Sequence, residues 1–376
     1  MKKTTLVAVI ISVIFAFFYV GCGSANDKPQ ELLGQWVHES VATLGKPDEM
    51  EFFKNGKGTL DANNIFWKAE NERLFVWSSE EPKFACKYKV SDYELHIFYD
   101  DGDSAIYVKK ENLKDFKAKQ AAQNDILQAK QTSQRAKYYI EQAKQNKSQI
   151  ERLLEQHFIF VQGATFTMGC TSEQSRDCEN DERPAHSVTI SDFFIGKYET
   201  TQKLWTLVMS DNPSKFKGDD FPVESVSWND ISVFISVLNE VTEKNYRLPT
   251  EAEWEFAARG ANKSQKYKYS GGNNLDNTGW FYNNSGGRTR QVGQKKPNEL
   301  GIYDMSGNVW EWCNDRYGQY SGDAATNPTG ADIGDTRVLR GGGWYHVAEF
   351  CRVASRSSNT PSFSLSYAGF RLAGDK

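Results

Sequence analysis

Hydrophobic positions fall along this chain in four rhythms, and each predicts a different kind of element. Leu6 to Val20 is a nearly unbroken apolar run behind Met1-Lys2-Lys3. Between Leu32 and Lys109, apolar and aromatic residues come in short β-rich runs divided by turn formers. They include Gly34-Gln35-Trp36-Val37, Met50-Glu51-Phe52-Phe53, Phe75-Val76-Trp77, Lys87-Tyr88-Lys89-Val90 and Leu95-His96-Ile97-Phe98-Tyr99. This spacing predicts a small antiparallel β domain over 32–109, a meander or a barrel. Residues 110–156 turn to Lys, Gln, Ala and Glu without Pro or Gly, a composition that favours a long helix. Its larger apolar residues, among them Leu113, Phe116, Ile126, Leu127 and Tyr138, are too sparse for a sustained heptad. The segment therefore reads as a helical spacer with solvated faces. Apolar runs resume at Phe158-Ile159-Phe160-Val161 and open a third region, 157–376. Short runs, many Gly and Asn turns, and helices near 228–242 and 251–259 predict an α+β domain with much irregular structure. Thr250 is placed to cap the second helix, with Glu253 reaching back.

The first run changes the picture of where the chain works. A charged start, a short apolar core and Gly21 before Cys22 predict a signal peptide over 1–21. Cys22 resembles the acylated cysteine of a bacterial lipobox, which implies an exported lipoprotein of the bacterial cell envelope, anchored to the membrane and tethered through 22–31. The alternative is an ordinary secreted protein. A net charge of −4 over 376 residues, with no long basic block, argues against nucleic acid as a partner.

Export makes the six cysteines potential disulfides. Cys170 and Cys178 share one polar loop whose length readily closes a small ring, and a disulfide is preferred there over a metal pair. Cys313 and Cys351 are then expected to form a longer-range disulfide, leaving Cys86 single.

The stretch Gly301-Ile302-Tyr303-Asp304-Met305-Ser306-Gly307-Asn308-Val309-Trp310-Glu311-Trp312 resembles the signature of the formylglycine-generating enzyme family, the sulfatase-modifying factors. Arg247-Leu248-Pro249-Thr250-Glu251-Ala252-Glu253-Trp254, Arg340-Gly341-Gly342-Gly343-Trp344 and Gly369-Phe370-Arg371 extend the resemblance over Phe158 to Leu372. It implies an irregular fold related to C-type lectins. Gly34-Gln35-Trp36 and Lys54-Asn55-Gly56-Lys57-Gly58 look in turn like the opening of a lipocalin-like domain.

The resemblance also implies chemistry. Asp304, Gly307, Val309 and Glu311 match the family's structural calcium ligands, and hard oxygens on a flexible turn suit that ion. Active members oxidise a cysteine of a Cys-x-Pro-x-Arg segment through two cysteines that bind copper(I). Counted from Arg340-Gly341-Gly342-Gly343-Trp344, those positions fall on His346 and Cys351, so one thiol stands where two are needed. Two readings follow. One is a calcium-stabilised binding or scaffold module with an envelope protein or peptide partner. The other is a working oxidase of exported sulfatases that uses copper(I) at His346 and Cys351. Trp254, Trp280, Trp310, Trp312 and Trp344 could form an aromatic binding surface, and most of them are expected in the core. Arg247, Arg340, Arg352, Arg356 and Arg371 are candidate anchors for buried carboxylates or for the carbonyls of a bound chain, with no specific role assigned to any one.

Overall fold

The β-rich runs pair in chain order and close on themselves. In a computed structural model of the chain, eight antiparallel strands form a closed barrel: β1 (Gly34–His38), β2 (Glu49–Phe52), β3 (Lys57–Leu60), β4 (Asn63–Glu70), β5 (Arg73–Trp77), β6 (Phe84–Val90), β7 (Glu94–Phe98) and β8 (Ser104–Lys109). The structure describes the backbone of these strands and residues 113–376. The signal peptide, the tether and Cys22 lie outside the described residues. Strand β4 is absent from the sequence pattern because Asn63-Asn64 reads as a turn and Lys68-Ala69-Glu70 as a polar stretch. It makes the strand number even, and only then can first and last strands of an up-and-down sheet meet antiparallel, as Trp36 does with Lys109.

The chain divides into two compact units, Met1–Ala122 and Gln123–Lys376. In the second, helices α1 (Leu113–Gln145, from Gln123 onward) and α2 (Lys147–Leu154) do more than space domains. Ala136, Ala143, Ile150 and Leu154 are buried in one core with Leu204, Val208, Phe234, Leu238 and Trp312. The expected solvated spacer is corrected here. Seven-residue spacing of Ala136, Ala143 and Ile150 keeps one stripe facing the domain, and alanine lets the helix lie close.

Strands β9 (Phe158–Val161) and β10 (Ala164–Met168) follow, then β11 (His186–Ile190) and β12 (Phe193–Gly196). Helix α3 (Gln202–Met209) is capped by Thr201 and α4 (Trp228–Thr242) by a Ser227/Asp230 capping box. Strand β13 (Tyr246–Arg247) leads to α5 (Glu251–Ala258), whose entry is the Thr250/Glu253 box read from sequence. A one-turn helix α6 (Leu275–Thr278) precedes β14 (Trp310–Arg316), β15 (Ala325–Thr326), β16 (Arg337–Arg340), β17 (Arg356–Asn359), β18 (Ala368–Gly369) and β19 (Ala373–Asp375). They assemble as β13-β19-β12-β9, β17-β16-β14-β18 and β10-β11-β15. Helices α1–α4 pack against Trp310, Trp312, Leu339 and Phe370, and Trp205 stacks on Phe234 at 5.1 Å. Helix α5 lies in a second cluster with Val188, Phe193 and Val338. This is the expected α+β architecture.

Candidate functional site

The signature turn sets Ile302 and Met305 in one core cluster and Trp310 and Trp312 in another, and joins its neighbours through buried polar side chains as well. Gly307 has φ +96°, and a Cβ there would lie 2.4 Å from the Trp280 carbonyl oxygen, so only glycine lets the two backbones touch. The turn brings Asn308 against Glu199, whose Oε2 accepts from Asn308 Nδ2 at 2.6 Å and whose Oε1 accepts from the Val309 N–H at 3.1 Å. Glu311, at the start of β14, accepts from Arg371 Nε and Nη2 at 2.6 Å each and from Trp254 Nε1 at 2.7 Å. Asp304 Oδ2 accepts from the Gly293 N–H at 2.7 Å, while its Oδ1 is buried without a partner. Three buried carboxyl groups thus face one guanidinium. Burial pushes the Asp304 carboxyl up to about 6, and burial with the Asp304 and Glu311 charges pushes Glu199 well above the usual range. Glu199 was not legible as a site residue, since nothing local in Tyr198-Glu199-Thr200 marks it.

The other arginines take carboxylates, one of the two partners expected for them. Arg247 pairs with Glu253, Arg340 with Glu255, Arg352 with Glu182 and Arg356 with Glu251. Trp254, Trp310, Trp312 and Trp344 are buried.

A second surface lies where β16 ends. Gly341 and Gly342, both at positive φ, turn the chain back so closely that a Cβ on Gly342 would stand 2.6 Å from Cys351 Sγ. Trp344 is fastened by Nε1 to the Ser366 carbonyl at 2.9 Å and lies edge-on to Phe216 at 5.3 Å. Beyond it Tyr345, Val347 and Phe350 are exposed, with Tyr282 beside Tyr345 at 6.4 Å. Tyr282 is 60% and Tyr345 58% accessible, unusual for rings of this size in contact. The His346 imidazole sits among Trp310, Tyr345, Phe350 and Tyr367, and Trp310 Nε1 donates to its Nδ1 at 3.3 Å.

Cysteine pairing is part expectation and part correction. Cys170 and Cys178 form the local disulfide, with Cα atoms 5.9 Å apart. The expected Cys313–Cys351 bond is absent, and both are buried free thiols. Cys313 packs with Trp254, Phe256 and Val338, whereas Cys351 packs with Tyr269, Leu275 and Phe281. Each is held in a different apolar cluster.

Residues 142–376 match the sulfatase-modifying factor enzyme 1-like domain. The chain belongs to this family. Within it, the chain is 38% identical over 236 residues to the chaperone protein LppX of Paenibacillus barcinonensis, covering 50% of this chain and 78% of that one. It is 39% identical over 173 residues to the formylglycine-generating enzyme of Streptomyces coelicolor, covering 41% of this chain and 52% of the enzyme. The chain thus spans about half the length of that enzyme. Among solved structures, Treponema denticola variable protein 1 superposes with a TM-score of 0.53 at 32% identity, over 58% of this chain and 95% of that one. PvdO from Pseudomonas aeruginosa gives 0.53 at 26% identity, over 58% and 94%.

The two metals that the resemblance implies for a sulfatase-modifying factor domain meet different surroundings here. The residues do not fit copper(I). Burial pushes the Cys351 thiol up to about 12, opposite to the thiolate a soft metal requires, and both His346 ring nitrogens lie against the Trp310 N–H, Nδ1 at 3.3 Å and Nε2 at 3.4 Å. For calcium, the unpartnered Asp304 Oδ1 is a fitting hard donor beside surplus negative charge. Glu311 is less free, with both oxygens engaged by Arg371. Among the described residues no group of three or more His, Cys, Asp or Glu side chains converges as a complete cage, so backbone oxygens would have to supply the rest.

Proposed function

We propose that this chain is a calcium-stabilised binding or scaffold module of the bacterial cell envelope, held to the membrane by a lipid on Cys22, and not a formylglycine-generating oxidase. One observation carries the reading. Where the family's copper thiolates are expected, this chain has a single protonated, apolar-packed thiol beneath an exposed aromatic face of Tyr282, Tyr345, Val347 and Phe350. Aromatic rings exposed together are the anchors that protein interfaces use, so an envelope protein or peptide is the partner class. Similarity to a protein named a chaperone supports binding over oxidation. The leader and Cys22 support export. Among the described residues no helix is long and apolar enough to cross a membrane.

Calcium would be held by Asp304 Oδ1 with the backbone carbonyls of Gly307 and Val309, and it would neutralise the Glu199–Asp304–Glu311 cluster. Chelation with EGTA is expected to lower the melting temperature, and Asp304→Asn to weaken calcium binding measured by titration calorimetry. A melting curve indifferent to calcium would remove this part of the proposal.

The decisive test is mass spectrometry of a Cys-x-Pro-x-Arg peptide after aerobic incubation with the copper(I)-treated chain beginning after Cys22. The thiol is expected to survive beside a positive-control enzyme. Conversion to the aldehyde, abolished by Cys351→Ser, would establish the oxidase instead.

A further inference from the structure

Helix α1 meets the second unit in two manners. Its C-terminal half lies flush through Ala136 and Ala143. Four and eight residues before Ala136, the same stripe carries Thr132 and Gln128, and there the helix stands off. The gap is a cleft of about 560 Å³ lined chiefly by Asp125, Gln128, Thr132, Trp228, Arg316 and Arg337. That volume lies in the range of small-molecule sites, about 300–1,000 Å³. The walls are tied together: Gln128 Nε2 donates to Asn229 Oδ1 at 2.6 Å, Arg135 Nη2 to Asp230 Oδ1 at 2.8 Å and Arg316 Nη2 to Asp125 Oδ1 at 2.5 Å. The cleft is therefore held open by its own contacts.

Its charge is unbalanced. Arg316 and Arg337 both line it, but only Arg316 has a carboxylate, Asp125. Arg337 stands 4.1 Å above the Trp228 ring and spends one N–H on the Asn314 carbonyl at 2.6 Å. Among the described residues no carboxylate lies within ion-pair reach of it. Burial and the neighbouring Arg316 push the Arg337 guanidinium down to about 10, outweighing the more distant Asp125 and Asp315 carboxyl groups, which act the other way. A guanidinium with free donors in a half-buried cleft is a ready site for an oxyanion. The remaining lining is neutral and includes the hydroxyls of Ser133, Ser232, Ser236 and Thr329. Such walls exchange hydrogen bonds with a ligand that carries several hydroxyls and is larger than a bare phosphate.

We propose that this cleft binds a small polyhydroxylated anion, a sugar acid or sugar phosphate, with its oxyanion on Arg337 and its hydroxyls on the serine and threonine walls. Asp125, Gln128 and Thr132 precede the family-matched residues 142–376, so this is a site that the helix adds to the domain. It is separate from the aromatic face and does not depend on what that face binds.

Titration calorimetry of the chain beginning after Cys22 tests it with glucuronate and glucose 6-phosphate, beside glucose and inorganic phosphate. At least one charged sugar should bind saturably, at least about tenfold more tightly than either control, and the stronger of the two identifies the oxyanion. Arg337→Gln should weaken that binding about tenfold or more, the worth of a charge-assisted hydrogen bond. Asp125→Asn, at the exposed rim of the cleft, keeps an oxygen that can accept from Arg316 while removing the negative charge beside the two guanidinium groups, and should tighten it, a gain that misfolding cannot mimic. No saturable binding of either sugar up to about 10 mM, phosphate binding as tightly as the sugar phosphate, or affinities that neither substitution moves would each overturn the proposal.

Discussion

At the scale of single residues, the second unit is governed by arginine–carboxylate pairs buried where water cannot share the load. Arg371 is the most consequential, since it faces Glu199, Asp304 and Glu311 together and also donates to the Gly196 and Tyr303 carbonyls. Replacing Arg371 with Met leaves those carboxyl groups uncompensated. We expect it to cost about 3–5 kcal/mol in urea unfolding, against which a loss below about 1 kcal/mol would count decisively. His157 gives a pH test. Burial, helped by Arg371, pushes it down to about 4, so the folded form stays neutral while the unfolded chain takes up a proton near the usual 6.5. Its contribution is therefore complete above about pH 6.5 and falls away as the pH drops toward 4, by at most about 3 kcal/mol. His157→Phe should flatten the stability–pH curve in that window. The arginines were legible in the sequence as anchors, for carboxylates or for the carbonyls of a bound chain. Their partners were not, because Arg352 meets Glu182 across 170 positions of chain, and only the fold sets such distances.

Among elements, the instructive one is α1 with its continuation α2. Counting only large apolar residues makes this stretch look solvated, yet its docking stripe is built from Ala136, Ala143 and Ile150, with the half-buried Tyr139, Ile140 and Leu153 beside them. Alanine carries little hydrophobic weight but controls how near two backbones come, and that information is invisible until a partner surface exists. Ala143→Leu should overpack the seam and destabilise the second unit by about 1–3 kcal/mol. Gln142→Leu, on the solvent side, should stay within about 0.5 kcal/mol. Chemical denaturation of the pair distinguishes the docked helix from a free spacer. Helix α5 was readable from its capping box and helix α4 from a long apolar-rich stretch of fifteen residues. Strand β4 and helix α3 were not, the first opening on two asparagines and the second having a lone Thr201 cap without the reciprocal acid that marks α5.

On the scale of the whole molecule, composition shifts marked the order of barrel, helix and irregular domain, and the Gly301–Trp312 signature marked the family. The boundary between units moved from 157 to 123 because packing, not polarity, decides where a compact body begins. Two separate units predict two resolved calorimetric transitions, and a single transition with equal calorimetric and van't Hoff enthalpies would contradict that division.

The two unpaired thiols turn the second unit into its own stopwatch. Cys313 and Cys351 have no accessible surface, and burial holds both pKa values high, so an alkylating reagent reaches them only during an opening. With Cys22 and Cys86 replaced by serine, the labelling rate of each thiol measures how often its own cluster comes apart. If Cys351 labels much faster than Cys313, the aromatic face breathes independently of the core beneath the signature turn. Equal rates would mean that both are uncovered by one concerted unfolding.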